Sequence, residues 1–266
     1  MTPDTILAIN ASHRGEKGIT ALLLEKMRLG AEETGAEWET LHLSQLKINR
    51  CLSCYHCQKG EKRLTCVYNQ KDDARLVFDK LSSASLVIYA TPIYLMTMSG
   101  LMKNLLDRMY STMDVSEARL TGGLIHHHID PSISSKPFLP LIVCGNLETS
   151  SWKNAADYFR IYARFMEAPQ VGLLVRNASQ LFDVEGNSRL LRRFPKVREV
   201  FSAYHQAGRE LADKGRIGWW TQRRANQEVI PFPFFSVLKH IRPIKRQVIA
   251  VLNTPSYFTD NEDNNK

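Results

Sequence analysis

The chain has 266 residues, of which 44% are hydrophobic and 23% are charged, and its net charge is +8. This composition is typical of a globular protein with a full core, and it excludes a disordered or fibrous chain. No apolar run approaches the ~20 residues that span a bilayer, and residues 1–5 lack a basic-then-apolar signal pattern. A cytoplasmic location is therefore expected.

The positive charge is concentrated near the C-terminus. Residues 214–246 contain eight basic residues and one acidic residue, so the preceding part of the chain is close to neutral. A nucleic-acid-binding domain usually spreads its cations over the surface that carries its motifs. We therefore expect no nucleic-acid partner.

The first predicted strand, residues 5–10, is followed by a loop and then by an amphipathic helix. The loop contains hydroxyl, glycine and cationic residues, and it ends where the helix begins. Backbone amides, hydroxyl groups and the positive end of a helix are the groups that bind phosphate. The loop is therefore a candidate phosphate-binding loop.

A second strand is predicted over Trp38 to Leu43, and a long connection without helical or strand periodicity follows it. This connection contains a C-x2-C-x2-C-x8-C pattern, whose two-residue gaps allow successive thiolates to converge on one centre. A structural zinc site is the less favoured alternative, because zinc sites usually consist of two separated cysteine pairs. The candidate metal ligands are Cys51, Cys54, Cys57 and Cys66.

The central strand is predicted over Leu86 to Ala90, a short apolar run that is buried on both faces. Thr91-Pro92 is expected to end this strand, and Ser99 is expected to begin the next helix. The intervening loop lies at the carboxyl edge of the sheet, where ligands bind in open α/β proteins. Its flat and flexible side chains are suited to one face of an aromatic ring system.

The rest of the chain is predicted to contain an insertion, two more strands and a further helix. Residues 111–137 form an irregular insertion, in which three adjacent histidines (residues 126–128) indicate an exposed loop rather than a metal site. Phe138 to Gly145 is a fourth strand, Gln170 to Val175 is a fifth, and a helix begins at Pro195. Five strands that alternate with helices predict a five-stranded parallel sheet in the order 2-1-3-4-5 with helices on both faces.

Residues 5 to about 175 resemble the NAD(P)H-dependent FMN reductases and iron–sulfur flavoproteins of the flavodoxin-like superfamily. The resemblance rests on a strand, the Pro92-Ile93-Tyr94 loop and a helix that carries Lys103 and Asp107-Arg108. It implies that the loop after the first strand holds the FMN phosphate through Ser12, Arg14, Gly18 and Thr20. It also implies that Pro92, Ile93, Tyr94, Leu95 and Met96 line the flavin ring, and that Gly145 and Asn146 bind its polar edge.

The implied activity is that of an FMN-dependent oxidoreductase that receives electrons from NAD(P)H or ferredoxin. Flavin carries this chemistry itself, so no catalytic acid or base is assigned to the protein. The resemblance to iron–sulfur flavoproteins implies a 4Fe-4S cluster on the four cysteines, whereas other relatives carry similar cysteines without a cluster, and both interpretations stay open. The alternative function is a non-enzymatic zinc-binding protein whose basic C-terminal segment contacts RNA or an anionic membrane.

Two domains are predicted, a flavodoxin-like FMN-binding domain over residues 1–215 and a C-terminal extension over residues 216–266. The extension combines strongly apolar stretches with prolines that oppose one long helix. It is therefore expected to wrap a neighbouring subunit in a homodimer or homotetramer, and to end in a disordered tail. Attachment to an anionic membrane is the alternative, and it is not expected because the helical periodicity is poor.

Overall fold

The computed structural model describes residues 4–60, 64–183, 191–192, 194–230, 241–244 and 246. Within these ranges, no helix combines the length and the apolar character that a membrane span requires. The strands are β1 (Thr5–Asn10), β2 (Glu37–His42), β3 (Leu86–Tyr94), β4 (Thr97–Met98), β5 (Met113–Thr121), β6 (Leu124–Ile129), β7 (Phe138–Val143) and β8 (Leu174–Arg176).

Five of these strands form a parallel sheet in the order β2-β1-β3-β7-β8, which confirms the predicted topology. Alternate residues of the central strands point to opposite faces of the sheet. Ile6 and Ala8 of β1 pack in the core on one face, whereas Leu7 and Ile9 pack in the core on the other. Because both faces are buried, the central strands are nearly continuous in apolar residues.

Helices cover both faces of the sheet. Their bounds are α1 (Ile19–Glu32), α2 (Ala74–Ser83), α3 (Gly100–Arg108), α4 (Pro131–Ser134), α5 (Lys153–Phe165), α6 (Lys196–Lys214) and α7 (Trp219–Ala225). Helices α1 and α6 cross at two glycines: a Cβ at Gly30 would lie 2.0 Å from the His205 carbonyl oxygen, and one at Gly208 would lie 1.9 Å from that of Met27. Only glycine permits this approach of the two backbones.

The predicted end of the central strand at Thr91-Pro92 is wrong. Strand β3 continues to Tyr94, and Pro92 lies opposite Val143 in the parallel pairing with β7. Proline lacks an amide donor, but its backbone geometry is compatible with a strand near its end. After a two-residue turn, β4 pairs antiparallel with the end of β3.

The predicted irregular insertion at 111–137 is also wrong. Strands β5 and β6 form an antiparallel hairpin, and the short helix α4 follows it. Gly122 (φ 59°) and Gly123 (φ 76°) form its two-residue turn, for which positive φ angles are favoured. The histidines lie on β6, where His126 is buried and His128 is exposed.

The described beginning of the C-terminal extension packs against the outer edge of β8. The Gln222 side chain accepts a hydrogen bond from the Leu173 amide (2.7 Å), and Asn226 Oδ1 accepts one from the Val175 amide (2.8 Å). Asn226 Nδ2 also donates to the Leu173 carbonyl at 2.9 Å. Residues 217–230 thus pack with the body of the same chain, while the boundary at residue 215 and the oligomerisation arm stay predictions.

A buried arginine fixes this segment to the sheet. The Arg176 guanidinium donates to the carbonyl oxygens of Ala225 (3.1 Å) and Gln227 (2.9 Å), and it lies 4.8 Å from the centre of the Phe182 ring. Burial lowers the pKa of Arg176 from its usual value. The remainder of the predicted extension, apart from residues 241–244 and 246, lies outside the described residues.

Candidate functional site

Three loops meet at the carboxyl edge of the sheet, where β1, β3 and β7 end. The rings of His13, after β1, and Tyr94, at the end of β3, are 5.7 Å apart between centroids. Thr97 Oγ1 donates to Asn154 Oδ1 of α5 at 3.1 Å, which joins the β3–β4 turn to the helix after β7. The sheet order thus produces a shared site from loops that are distant in sequence.

The loop after β1 is organised by the buried side chain of Asn10. Its Nδ2 donates to the Gly15 carbonyl (3.1 Å) and to His42 Nδ1 (3.0 Å), and its Oδ1 accepts from the Ser12 amide (3.0 Å). Ser12 Oγ in turn accepts from the Arg14 amide at 3.2 Å. Asn10 therefore defines the shape of the loop before any ligand binds.

This loop has the space and the donors that a phosphate needs. A Cβ on Gly18 would lie 2.9 Å from Ser12 Oγ and 3.2 Å from the Arg14 Cβ, so only glycine leaves the cradle open. Helix α1 begins directly after Gly18 with no side-chain cap, so its first-turn amides have no side-chain acceptor. Arg14 is exposed and makes no ion pair within the described part of the chain.

His42 lies beside this loop because Asn10 and His42 are paired residues of β1 and β2. Burial lowers the pKa of His42 from 6.5, against the opposing effect of Glu16. The neutral ring accepts the Asn10 hydrogen bond. Neither Asn10 nor His42 was predicted as a site residue. Asn10 could have been recognised in the sequence, because it is a polar residue at the end of an apolar strand.

The β3–β4 turn presents apolar side chains to solvent. Leu95 and Met96 have left-handed backbones with φ angles of 46° and 65°, and Leu95 is 97% exposed. The base of the turn is fixed, since Thr91 Oγ1 accepts from the Ser99 amide (3.0 Å) and Ser99 Oγ caps α3 at the Met102 amide (3.2 Å). A rigid turn with exposed apolar residues is suited to covering a flat ligand.

Two buried polar groups without partners in the described part of the chain lie near the loop after β7: Trp152 follows β7, and Gln180 lies in the turn after β8. The buried atoms Gln180 Oε1 and Trp152 Nε1 have no hydrogen-bond partner among the described residues. Gln180 Oε1 lies 3.7 Å from the position of a Cβ on Gly145, so it faces the backbone of this loop. Asn146 Nδ2 donates a hydrogen bond to Ser151 Oγ at 3.0 Å. Buried polar atoms without partners are compatible with a ligand that has donors and acceptors on its edge.

The four cysteines of the long connection line one cavity of about 20 Å³. Cys57 is buried, Cys51 and Cys66 are half-buried, and Cys54 is exposed. Burial raises the pKa of Cys57, and charges on Cys66 and Cys51 act in the same direction. In the described part of the chain, no three His, Cys, Asp or Glu side chains are grouped so that they could hold a metal ion.

A buried ion pair supports this connection. Arg108 and Asp72 form a salt bridge with side chains only 3% and 1% exposed, and Arg108 Nη1 also donates to the Asn49 carbonyl at 3.0 Å. Burial would raise the pKa of Asp72, but hydrogen bonds from Arg108 and from the amides of Asn49 and Ala74 outweigh it and lower the pKa. Arg108 also interacts with the Cys66 side chain, so the pair connects α3 to the cysteines.

The predicted site residues thus lie in two neighbouring regions. The candidates in the loops after β1, β3 and β7 lie at the same edge of the sheet, and the four cysteines surround a separate cavity. Their roles as cofactor or metal ligands stay predictions.

Comparison with known proteins supports the resemblance that the sequence predicts. Residues 5–126 match the family of NADPH-dependent FMN reductases. An iron-sulfur flavoprotein of Archaeoglobus fulgidus is 37% identical over 103 residues, which are 39% of this chain and 47% of that protein. An iron-sulfur flavoprotein of Methanocaldococcus jannaschii is 40% identical over 77 residues, which are 29% of this chain and 37% of that protein. The chain therefore spans less than half of the length of these relatives.

Solved structures with the same fold confirm the flavodoxin-like architecture. An FMN-dependent NADH-azoreductase of Bacillus anthracis in complex with FMN has a TM-score of 0.56 at 12% identity, with coverage of 79% of this chain and 100% of that one. An NAD(P)H:quinone oxidoreductase of Methanothermobacter marburgensis has a TM-score of 0.56 at 14% identity, with the same coverage. At such identities the likeness establishes the fold alone.

Proposed function

We propose that the protein is an FMN-dependent oxidoreductase that receives its electrons from NAD(P)H. The observation that carries this proposal is the open cradle at Gly18, next to the first turn of α1 and within reach of the β3–β4 turn. The match of residues 5–126 to the FMN reductase family supports the same assignment. Bound FMN would supply the redox chemistry by accepting a hydride and passing on one or two electrons.

The residues of the site divide the binding of FMN between them. Ser12 and Thr20 are buried at the cradle and offer hydroxyl donors, and Arg14 offers a charge-assisted hydrogen bond to the phosphate. The apolar side chains of Leu95 and Met96 would cover the ring and exclude water from one face. Gly145 allows close backbone approach to the polar edge, where Gln180 Oε1 and Trp152 Nε1 lack partners.

The nicotinamide donor has no dedicated dinucleotide loop in the sequence, since the Rossmann glycine pattern is absent. NAD(P)H would therefore dock transiently against the flavin. Steady-state oxidation of NADH and NADPH by the FMN-loaded protein, with a quinone as acceptor, would identify the preferred donor. Ferredoxin stays the alternative donor, and its reduced form tested in the same assay separates the two.

We further propose that Cys51, Cys54, Cys57 and Cys66 hold a 4Fe-4S cluster. Four thiols that line one cavity are the donor set such a cluster needs, and its ligands stand farther apart than those of a single ion. Arg108, beside Cys66, would balance part of the negative charge of the thiolates. Anaerobic purification followed by iron, sulfide and zinc analysis tests this: one zinc per chain, or no metal with intact flavin, would reject the cluster.

Titration of the purified protein with FMN is the decisive test of the main proposal. Binding quenches or shifts flavin fluorescence, and the same sample is then assayed for NAD(P)H oxidation. A folded protein that takes up no FMN would disprove the assignment.

A further inference from the structure

Two adjacent tryptophans at the start of α7 are exposed on an otherwise well-packed segment. Trp219 is 60% exposed and Trp220 is 69% exposed, and their rings meet edge to face with centroids 4.4 Å apart. Tryptophan is on average a highly buried residue. An exposed pair of tryptophans therefore indicates a surface that contacts a binding partner.

The helix that carries this pair is firmly anchored. Glu210 accepts hydrogen bonds from the Gly218 amide (2.7 Å) and from Thr221 Oγ1 (2.8 Å). Gln222 of α7 and Asn226, which directly follows it, accept hydrogen bonds from the amides of Leu173 and Val175 at the sheet edge. The tryptophans are thus held on a fixed support. Their exposure belongs to the folded chain and not to a detached arm.

One arginine contacts the pair, and further arginines lie on the same segment of the chain. The Arg223 guanidinium lies 5.2 Å from the Trp219 ring centre and 5.9 Å from that of Trp220. Arg216 and Arg224 are exposed on the same short segment. We call these five residues the Trp–Arg patch. Exposed Arg242 and Arg246, farther along the chain, continue the excess of positive charge.

We propose that the Trp–Arg patch docks the protein on an anionic phospholipid membrane. Indole rings prefer the interface between headgroups and acyl chains, and arginines beside them pair with lipid phosphates. The attachment would be peripheral, since none of the described helices can span a bilayer.

Charge argues against a second copy of the chain as the occupant. In a two-fold contact the same patch meets itself, so the arginines of one protomer would face those of the other. Nucleic acid is disfavoured by the ring geometry, because bases stack on open aromatic faces and Arg223 already lies over both rings.

The position of the patch leaves the candidate flavin site accessible. Just before α7, the Ile217 amide donates to the Val171 carbonyl (3.1 Å), which lies ahead of β8, whereas the three site loops lie at the opposite ends of their strands. Membrane docking would therefore turn the carboxyl edge of the sheet towards the cytosol or another aqueous phase. The proposal does not depend on the flavin assignment.

Vesicle co-sedimentation of the full chain tests this proposal. We expect binding to phosphatidylcholine vesicles that contain phosphatidylserine, weak binding to phosphatidylcholine alone, and release at high salt. Neutralising two arginines in the variant R223Q/R224Q should weaken partitioning roughly thirtyfold, because each cation near an anionic surface contributes about 1 kcal/mol. The variant W219S/W220S should also lose binding, together with any blue shift of tryptophan fluorescence on adding vesicles.

The matched control is L120S/I125S, which removes two apolar side chains, 75% and 60% exposed, from the β5–β6 hairpin. This variant should bind vesicles as the wild-type chain does. Equal binding by W219S/W220S and the wild type would overturn the proposal. A later elution of W219S/W220S from a sizing column would assign the patch to a subunit contact and overturn the membrane proposal. Binding of single-stranded RNA by the wild type without binding of vesicles would assign the patch to nucleic acid and overturn the membrane proposal as well.

Discussion

Replacement of Gly18 by alanine tests the phosphate cradle without disturbing the fold. The new Cβ would lie 2.9 Å from Ser12 Oγ, which is closer than real Cβ contacts, so the hydroxyl must rotate away. Rotation breaks the hydrogen bond from the Arg14 amide, which costs about 1 kcal/mol. Gly18 has φ −96° and ψ 157°, a conformation that alanine adopts, so restricting the unfolded chain regains about 0.4–1 kcal/mol. The free energy of unfolding should therefore change little.

FMN binding should respond quite differently. Displacement of the Ser12 hydroxyl and the Arg14 side chain removes at least one charge-assisted hydrogen bond to phosphate, which is worth about 1.5–3 kcal/mol. The Kd for FMN should rise roughly tenfold to hundredfold. Fluorescence titration gives the Kd, and urea unfolding of the apoprotein gives the stability.

Gly100 provides the matched control, because a Cβ there meets nothing within 4 Å. G100A should bind FMN as the wild type does. An unchanged Kd for G18A would refute the cradle. Loss of affinity only in proportion to a loss of stability would refute it as well.

The remaining predictions concern the site and its support. Changing Arg14 to Ala should raise the Kd for FMN roughly tenfold to hundredfold, whereas changing Arg160, an exposed residue of α5 outside the loop after β1, to Ala should leave it unchanged in the same titration. Changing Asp72 to Asn should lower the free energy of unfolding by about 3–5 kcal/mol at neutral pH, because it leaves the buried charge of Arg108 unpaired. Because the pKa of Asp72 is lowered from 3.8, the stabilisation by its ionised form is present above pH 3.8 and is lost as the pH falls below that value. Urea unfolding should therefore show the free energies of unfolding of the wild type and D72N converging in acid. A difference that stays constant with pH would contradict the pairing. Changing Gly208 to Ala should destabilise the protein by about 3 kcal/mol in thermal unfolding, because the α1 and α6 backbones must separate. A stability equal to that of G100A would contradict the observed crossing of the two helices.

Much of the fold could be predicted because its signals are local. Short β-branched runs identify the buried strands, and Ser99 before an apolar stripe identifies the start of α3, where its hydroxyl does accept the Met102 amide. The order of the parallel strands followed from right-handed crossovers and short connections.

The errors have equally specific physical causes. Strand β5 was missed because most of its residues are exposed and polar, so no apolar alternation marks it, and the Gly122-Gly123 turn was its only signal. The role of His42 could not be predicted, because it depends on the register that places it opposite Asn10, 32 residues away. The packing of residues 217–230 depends on hydrogen bonds between the side chains of Gln222 and Asn226 and an edge strand, which no periodicity encodes.

The edge of the sheet at β8 has a consequence for the fate of the protein at high concentration. An uncovered edge strand is a template on which other chains can add strands, and it leads to aggregation. Here the side-chain oxygens of Gln222 and Asn226 accept hydrogen bonds from the outward backbone amides of Leu173 and Val175. The segment that contains α7 therefore lies where a further strand would pair with β8. A foreign strand cannot extend the sheet there unless α7 first detaches. The beginning of the C-terminal extension thus protects the β8 edge of the sheet from strand addition by other chains.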